Sequence, residues 1–250
     1  MTQPLVLRDD ADGVATLTLN RPAKLNAVSA ASFVELRAHV EAIAGSPDSV
    51  GCVVLTGAGT SFCAGHDLGA ITEGDHGPSP HFAAETIDAL EQLPQPTIAK
   101  IRGHCYTGGL ELALGCDLLV AADSARLGDT HGQWGLVPVW GMSVRLPERI
   151  GASRAKEMMF TSRRIDASEA AAIGLIDRVV PEADLDAAVA RLGAEIVANS
   201  WGTNRIDKAL LATQQEMGRA AALEHERSLP LGTPTDSSER MAAFAARKKG

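Results

Sequence analysis

The sequence lacks a basic stripe, a membrane-length apolar run and a leader-like start, and each absence excludes a class of function. Acidic residues outnumber basic ones by 31 to 23, so the formal net charge is −8. This balance argues against nucleic acid or an anionic membrane as the main partner. No apolar stretch is long enough to span a bilayer, and Met1 to Pro4 show no basic-plus-apolar signal pattern. We therefore expect a soluble cytoplasmic protein.

Metal and nucleophile motifs are also missing. The four cysteines, at 52, 63, 105 and 116, form no close pairs of the kind that bind zinc. They fall in predicted strands and buried turns, which favours free thiols over a disulfide framework. The sequence contains neither a His-Glu-x-x-His pair nor a serine nucleophile elbow. We expect no metal site and no hydrolase of those types.

A glycine pair between a predicted strand and a predicted helix is the centre of the pattern. The apolar run Thr97 to Ile101 predicts the strand, and Gly108 and Gly109 then open an apolar segment whose single acid is Glu111. Glycines allow a ligand to approach the backbone closely, and the first turn of a helix offers N–H groups and a favourable dipole to an anion. Taken alone, Glu111 is best explained as a first-turn glutamate that the helix dipole stabilises.

The rest of the chain alternates strand and helix patterns and then becomes helical. Val14 to Leu19 alternates as a strand, Ser29 begins a helix, and the continuous apolar run from Val50 to Thr56 predicts a strand covered on both faces. The glycines after it lack the third glycine of a dinucleotide fingerprint, so nucleotide binding of that type ranks low. We further predict surface loops over 69–80 and 128–138, strands over 118–122 and 175–180, a helix capped by Asp166, and amphipathic helices from 182 onward.

Several of these stretches, in this order, resemble the signatures of the crotonase family, also called the enoyl-CoA hydratase and isomerase family. The resemblance covers nearly the whole chain, and its most specific part is the segment from Gly103 to Asp117. The other matching segments are Asn20-Arg21-Pro22 with Leu25-Asn26-Ala27, Phe62 to Leu68, Gly135 to Pro138, Arg145-Leu146-Pro147, Gly151, Ala167 to Ala170, Gly174-Leu175, and Phe244 with Arg247.

The resemblance implies an α/β fold, namely a crotonase-like spiral of ββα repeats with a C-terminal helical trimerisation region. It implies a core domain over residues 1-180 and a helical region over 181-250, assembled as a homotrimer or a dimer of trimers. Periodicity alone does not separate this fold from a (β/α) barrel, which remains the alternative architecture.

The resemblance also implies the chemistry. The partner is an acyl-CoA thioester, and no cofactor is needed because coenzyme A is part of the substrate. Backbone N–H groups of Ala64 and Gly108 would form an oxyanion hole, and Glu111 would be the general base of a hydration. Arg247 and Lys248 would lie near a CoA phosphate. The predicted substrate-binding residues are Leu25, Asn26, Ala27, Ala64, Gly65, His66, Asp67, Leu68, Gly108 and Trp140.

Two positions depart from the family pattern. His131 stands where hydratases of the family carry their second catalytic glutamate, and Val139 and Trp140 replace residues that are usually small. His131 is either a second catalytic group or a neutral loop histidine, and the tryptophans Trp134 and Trp140 are expected to pack. The leading prediction is an enoyl-CoA hydratase; the alternatives are an enoyl-CoA isomerase and a catalytically silent acyl-CoA binding protein.

Overall fold

A six-stranded open sheet and a small second sheet organise the computed structural model, which describes residues 3–74 and 77–247. The strands are β1 (Val6–Ala11), β2 (Val14–Leu19), β3 (Cys52–Gly57), β4 (Thr97–Ile101), β5 (His104–Tyr106), β6 (Leu118–Ala122), β7 (Arg126–Gly128), β8 (Ile165–Asp166) and β9 (Arg178–Val180). The helices are α1 (Ala30–Ala44), α2 (Leu68–Glu73), α3 (Phe82–Glu91), α4 (Gly108–Leu114), α5 (His131–Trp134), α6 (Met142–Ile150), α7 (Ala152–Thr161), α8 (Ala167–Ala172), α9 (Leu185–Ala198), α10 (Trp201–Gln214), α11 (Arg219–Arg227) and α12 (Ser237–Arg247).

The large sheet has the order β1-β2-β3-β4-β6-β9, and the small sheet has the order β5-β7-β8. The β1–β2 pair is antiparallel, whereas every later neighbour in the large sheet is parallel. Because β1 and β9 remain at the edges of the sheet, the alternative barrel architecture is wrong. The mixed α/β prediction is confirmed.

The two sheets are connected by a repeating path. After β4 the chain enters β5 and then α4, and after β6 it enters β7 and then α5. Between β3 and α2, Cys63 forms a parallel bridge with Cys105 of β5. This bridge extends the small sheet by one position and gives the β3–α2 segment the same arrangement as the two later segments. The path therefore consists of successive strand, strand and helix turns, and it brings the starts of α2, α4 and α5 to one region.

Both faces of the large sheet are buried, because its central strands carry apolar side chains on both faces. Val53, Leu55 and their neighbours on one face pack against α1, α3, α4 and α6 in the main core. On the other face Val54 and Ile98 pack against Leu185 and Val189 of α9. All six residues of β3 are buried, as the continuous apolar run predicts.

Local signals agree with most of the predicted elements. The side chain of Ser29 accepts the N–H of Ser32 and begins α1, and Asp166 accepts the N–H of Glu169 at 2.8 Å and begins α8. Three predictions need correction. The 69–80 loop begins within α2, although residues 75 and 76 lie outside the described part; the 128–138 loop contains α5; and only Arg178–Val180 of the 175–180 run is a strand.

Among the residues that the structure describes, none of the helices has the length and apolar character needed to cross a bilayer. The four cysteines are free and buried. Burial raises the pKa of the Cys52, Cys63 and Cys116 thiols to about 12, so they are unreactive near neutral pH.

Candidate active site

The turn into α4 has an unusual backbone that is held from two sides. Thr107, the residue before the helix, has φ 54° and ψ −116°, a conformation that side chains rarely adopt. Its N–H donates to the Gly128 carbonyl at 2.8 Å, and its hydroxyl lies 2.5 Å from that of Thr130. The first helical hydrogen bond runs from the Glu111 N–H to the Thr107 carbonyl at 2.9 Å. The N–H groups of residues 108 to 110 therefore precede the helical ladder.

Glycine is required at the start of α4 by close packing. A Cβ on Gly108 would lie 2.4 Å from Cζ3 of Trp140, and a Cβ on Gly109 would lie 2.3 Å from the Cys63 carbonyl oxygen. The Trp140 ring is itself held, since its centroid is 4.9 Å from that of Phe33. The glycine pair thus lets the indole and the Cys63 backbone reach the helix N-terminus.

Glu111 is a buried carboxylate with one fixed oxygen. It is 1% exposed, and its Oε1 accepts the N–H groups of Trp140 at 3.0 Å and Met142 at 3.1 Å. Burial raises the pKa of Glu111 above its ordinary value of 4.5, although the nearby His131 and these two hydrogen bonds lower it in part. Oε2 is directed toward His131, whose Nε2 lies 3.7 Å away.

His131 lies between two acids. Its Nδ1 is 2.6 Å from Oδ1 of Asp129, and the same oxygen accepts the His131 N–H at 3.1 Å. Burial lowers the pKa of His131, but the hydrogen bond to Asp129 and the charges of Asp129 and Glu111 outweigh burial, so the pKa is raised above 6.5. The position predicted from the family pattern therefore does face Glu111. Asp129, which the sequence analysis did not include in the site, lies directly behind it.

The backbone N–H of Ala64, predicted to be one of the two oxyanion-hole donors, already has a partner within the chain. It donates to the Leu25 carbonyl at 3.0 Å and is therefore directed away from Gly108. In the parallel bridge between Val28 and His66, the Val28 N–H donates to the Gly65 carbonyl and the Asp67 N–H donates to the Val28 carbonyl. Backbone groups alternate in direction along an extended segment, so the N–H of His66 points away from Val28. The His66 nitrogen lies 3.4 Å from the Cβ position of Gly108. The backbone group that flanks Gly108 thus belongs to His66.

A cavity of about 300 Å³ joins these groups. A depression between α10 and α11 is larger, at about 490 Å³, but the smaller cavity is the one that contains the buried carboxylate and a helix N-terminus. Its wall is mainly apolar, which suits an acyl chain. The lining residues are Ala64, Gly65, His66, Leu68, Tyr106, Thr107, Gly108, Glu111, Thr130, His131, Trp134, Leu136, Val137, Val139, Trp140 and Arg164.

Four of the predicted substrate-binding residues do not line this cavity: Leu25, Asn26, Ala27 and Asp67. Asn26 instead connects loops, because its Oδ1 accepts the Arg21 N–H and its Nδ2 donates to the Ala58 and Ser61 carbonyls. Asp67 pairs at 2.8 Å with both Lys24 and Arg21, and these cations hold the pKa of its carboxyl well below the usual range.

The two tryptophans and the C-terminal cations differ in their exposure. Trp140 is 8% exposed and packs as expected, whereas Trp134 is 56% exposed although it lines the cavity. Arg247 is exposed at the end of α12, and Lys248 lies outside the described residues. In the described part of the chain no group of three His, Cys, Asp or Glu side chains is arranged to hold a metal ion.

Comparison with known proteins identifies one family. The family model described as enoyl-CoA hydratase/isomerase matches residues 9–250. The short-chain-enoyl-CoA hydratase of Clostridium acetobutylicum is 31% identical over 250 residues, covering 98% of this chain and 95% of that protein. The crystal structure of an enoyl-CoA hydratase from Bacillus anthracis has a TM-score of 0.92 at 34% identity, covering 97% and 96% of the two chains. A Thermobifida fusca protein provisionally assigned as an enoyl-CoA hydratase, solved in complex with CoA, has a TM-score of 0.83 at 32% identity, covering 97% and 95%.

Proposed function

The chain belongs to the enoyl-CoA hydratase/isomerase family, and from this premise we propose that it is an enoyl-CoA hydratase, a hydro-lyase that adds water to a 2-enoyl-CoA thioester. The observation that carries the proposal is the Glu111–His131 pair, with Nε2 and Oε2 3.7 Å apart on one cavity wall beside a helix N-terminus. One group is suited to accept a proton and the other to donate one, as hydration requires.

The thioester carbonyl would be bound by the backbone N–H groups of Gly108 and His66. Hydration passes through an enolate, so negative charge grows on that oxygen, and fixed donors there stabilise it by roughly 3 to 4 kcal/mol each. The dipole of α4 acts in the same direction. The closeness of the His66 nitrogen to Gly108 supports this pairing.

Glu111 and His131 would divide the two proton transfers. Oε2 of Glu111 takes a proton from water as the water oxygen bonds to C3, and Nε2–H of His131 delivers a proton to C2. The raised pKa of Glu111 makes it a stronger base, and the raised pKa of His131 keeps the acid form present at higher pH. A proton returned from Glu111 to His131 restores the starting state.

The paired side chains bear differently on the two alternative functions, a silent acyl-CoA binding protein and an enoyl-CoA isomerase. A silent acyl-CoA binding protein would bind the thioester without two proton-transfer groups beside it, whereas this chain brings Glu111 and His131 together in a cavity. An enoyl-CoA isomerase remains the nearest alternative, because two proton-transfer groups beside one acyl chain also suit the movement of a double bond.

The test is turnover of thioesters of graded length. We expect the conjugated absorbance of 2-enoyl-CoA to be lost and a 3-hydroxyacyl-CoA product to form, with slower conversion of 3-enoyl-CoA. Isomerisation of 3-enoyl-CoA without hydration would support the alternative, and binding of every thioester without turnover would contradict both activities.

Assembly is a further part of the proposal. In the described residues, α10, α11 and α12 contain no buried side chain, while Leu211, Met241 and Phe244 are 59%, 66% and 60% exposed. We propose that residues 181-250 form a helical trimerisation region next to the 1-180 core. Light scattering should give three or six times the monomer mass; a monomer would contradict it. The proposed reaction needs no cofactor, and the cytoplasmic location and the contact of Arg247 with a CoA phosphate remain predictions.

A further inference from the structure

We propose that Asp129 is a positioning residue that fixes the ring orientation and tautomer of His131, so that Nε2 rather than Nδ1 faces the reacting carbon. This inference rests on the proposed hydration, in which His131 is the proton donor. Asp129 does not line the cavity, so its effect is exerted through the imidazole.

The hydrogen bonds leave one arrangement for the neutral ring. Oδ1 of Asp129 accepts the backbone N–H of His131 at 3.1 Å and lies 2.6 Å from the ring nitrogen Nδ1. An ionised carboxylate only accepts hydrogen bonds, so Nδ1 carries the proton and Nε2 presents its lone pair toward Glu111. The Asp129 side chain is 2% exposed, so this contact is shielded from solvent.

The backbone that carries the ring is held as well. The His131 carbonyl accepts the N–H groups of Gly135 and Leu136, which closes α5 around it. Thr130, between the two side chains, is tied to Thr107 through both its N–H and its hydroxyl. The Asp129–His131 turn is therefore anchored to the start of α4, which carries Gly108 and Glu111.

Few charged groups compete with Asp129 for the imidazole. Glu111 faces it from α4, and His66, Tyr106 and Arg164 line the shared cavity. The charged residues of α7, which packs against α5, are Arg154, Lys156 and Glu157, and all three are exposed. Asp129 is thus the closest charge and the only one in hydrogen-bond contact among the described residues, so its removal has a specific effect on His131.

The tautomer can be measured directly in the wild-type protein. Nitrogen NMR of histidine-labelled protein should show, above the titration of His131, a protonated Nδ1 and an unprotonated Nε2. The His131 signals are those that disappear in His131→Gln. The opposite tautomer would overturn the inference, and this measurement needs neither turnover nor a variant of Asp129.

Asp129→Asn keeps an accepting oxygen but removes the charge. We expect the His131 titration and the alkaline limb of the rate profile to move together to lower pH, and kcat to fall roughly 10²-fold while KM changes less than about threefold. Asp129→Glu, which restores the charge, should recover part of kcat. Asp117→Asn is the matched control, because Asp117 anchors Thr97 and Lys208 away from the cavity; it should lower thermal stability and leave the pH profile unchanged.

The outcomes separate the two proposals. An unchanged His131 titration in a folded Asp129→Asn protein would overturn the positioning role, whatever the activity. A wild-type protein with the expected tautomer but no hydration of any 2-enoyl-CoA would contradict the proposed function and leave the hydrogen-bond assignment in place.

Discussion

Burial of Glu111 disfavours the ionised carboxylate that a general base requires. The residue lies in a helix whose seven positions are all buried, so its charged form is disfavoured. Two backbone N–H groups compensate only one of its oxygens. A site that must keep this carboxylate ionised therefore gives up stability, as is common where a buried group serves as a base.

A stability measurement should reveal this loss of stability. The pKa of Glu111 is raised in the folded state. Its contribution to the free energy of unfolding is therefore fully favourable below the unfolded pKa of about 4.5, and this contribution is lost as pH rises through the folded pKa. Glu111→Gln should therefore melt at a higher temperature than wild type near neutral pH, and the advantage should shrink on acidification. Glu148→Gln, at an exposed position, is the control and should show no such pH-dependent difference. A less stable Glu111→Gln protein at neutral pH would contradict the argument.

The pH profile should identify the role of His131. If its imidazolium donates the proton to C2, activity falls as pH rises through its raised pKa, and the acid limb belongs to Glu111. His131→Ala should lower kcat by roughly 10² to 10⁴ and abolish the alkaline limb, and His131→Glu should restore hydration with a shifted profile. Full activity of His131→Ala with the wild-type profile would make His131 a structural residue.

Sequence reasoning placed Glu111 and His131 in the site but did not assign the roles of Asp129 and His66, for different physical reasons. Asp129 bonds the N–H two residues later, a local pattern that short polar side chains commonly make, so the order Asp-Thr-His contained the signal. His66 rather than Ala64 is the proposed donor beside Gly108, because the N–H groups of Ala64 and Asp67 are hydrogen-bonded to the carbonyls of Leu25 and Val28. Those partners are distant in sequence, so the signature alone did not determine them.

At the scale of elements, the start of α4 depends on α6 and its preceding loop as much as on its own glycines. The strand, turn and helix were predictable from the glycine pair and the apolar runs around it. The contact of Trp140 with Gly108 was not, because it joins segments that meet only in the folded chain. Packing of this kind also explains why Val139 is exposed while its neighbour Trp140 is buried.

Gly108→Ala tests this contact. The new Cβ would fall 2.4 Å from Cζ3 of Trp140, and the ring is confined by Phe33 and His66. We expect a loss of roughly 1 to 3 kcal/mol of unfolding free energy and at least a tenfold fall in kcat/KM. Trp140→Leu should recover part of the stability in the Gly108→Ala background. Gly218→Ala is the control, because nothing lies within 4 Å of its Cβ position; equal stability of the two single variants would exclude the steric argument.

At the scale of the molecule, the helical C-terminal region contributes to the core as well as to the surface. The amphipathic pattern predicted the helices after residue 181, but not that Leu185 and Val189 of α9 cover the second face of the large sheet. An alternation of strands and helices suits both an open sheet and a barrel, and the three-residue strands of the small sheet are too short to show a period. Pairing between distant strands decided the fold.

Truncation should separate these two contributions. A chain ending at Asp184 lacks α9 and leaves Val54, Ile98 and Val120 uncovered, so we expect it to lose cooperative unfolding. A chain ending at Met217 keeps α9 and α10, including Trp201, whose ring packs on Gly51. That chain should still melt cooperatively, as circular dichroism would show. Cooperative melting of the shorter chain would mean that α9 is not part of the core.

Glu111 is expected to activate water for addition to a bound 2-enoyl-CoA. This role is tested by comparing kcat of wild type and Glu111→Gln on the same thioester, and by measuring the binding of a saturated acyl-CoA to each protein by calorimetry. We predict turnover by wild type, a fall of roughly 10²-fold or more in the variant, and dissociation constants within a fewfold of each other. Hydration by Glu111→Gln at the wild-type rate, with binding intact, would contradict the role of Glu111 as the base.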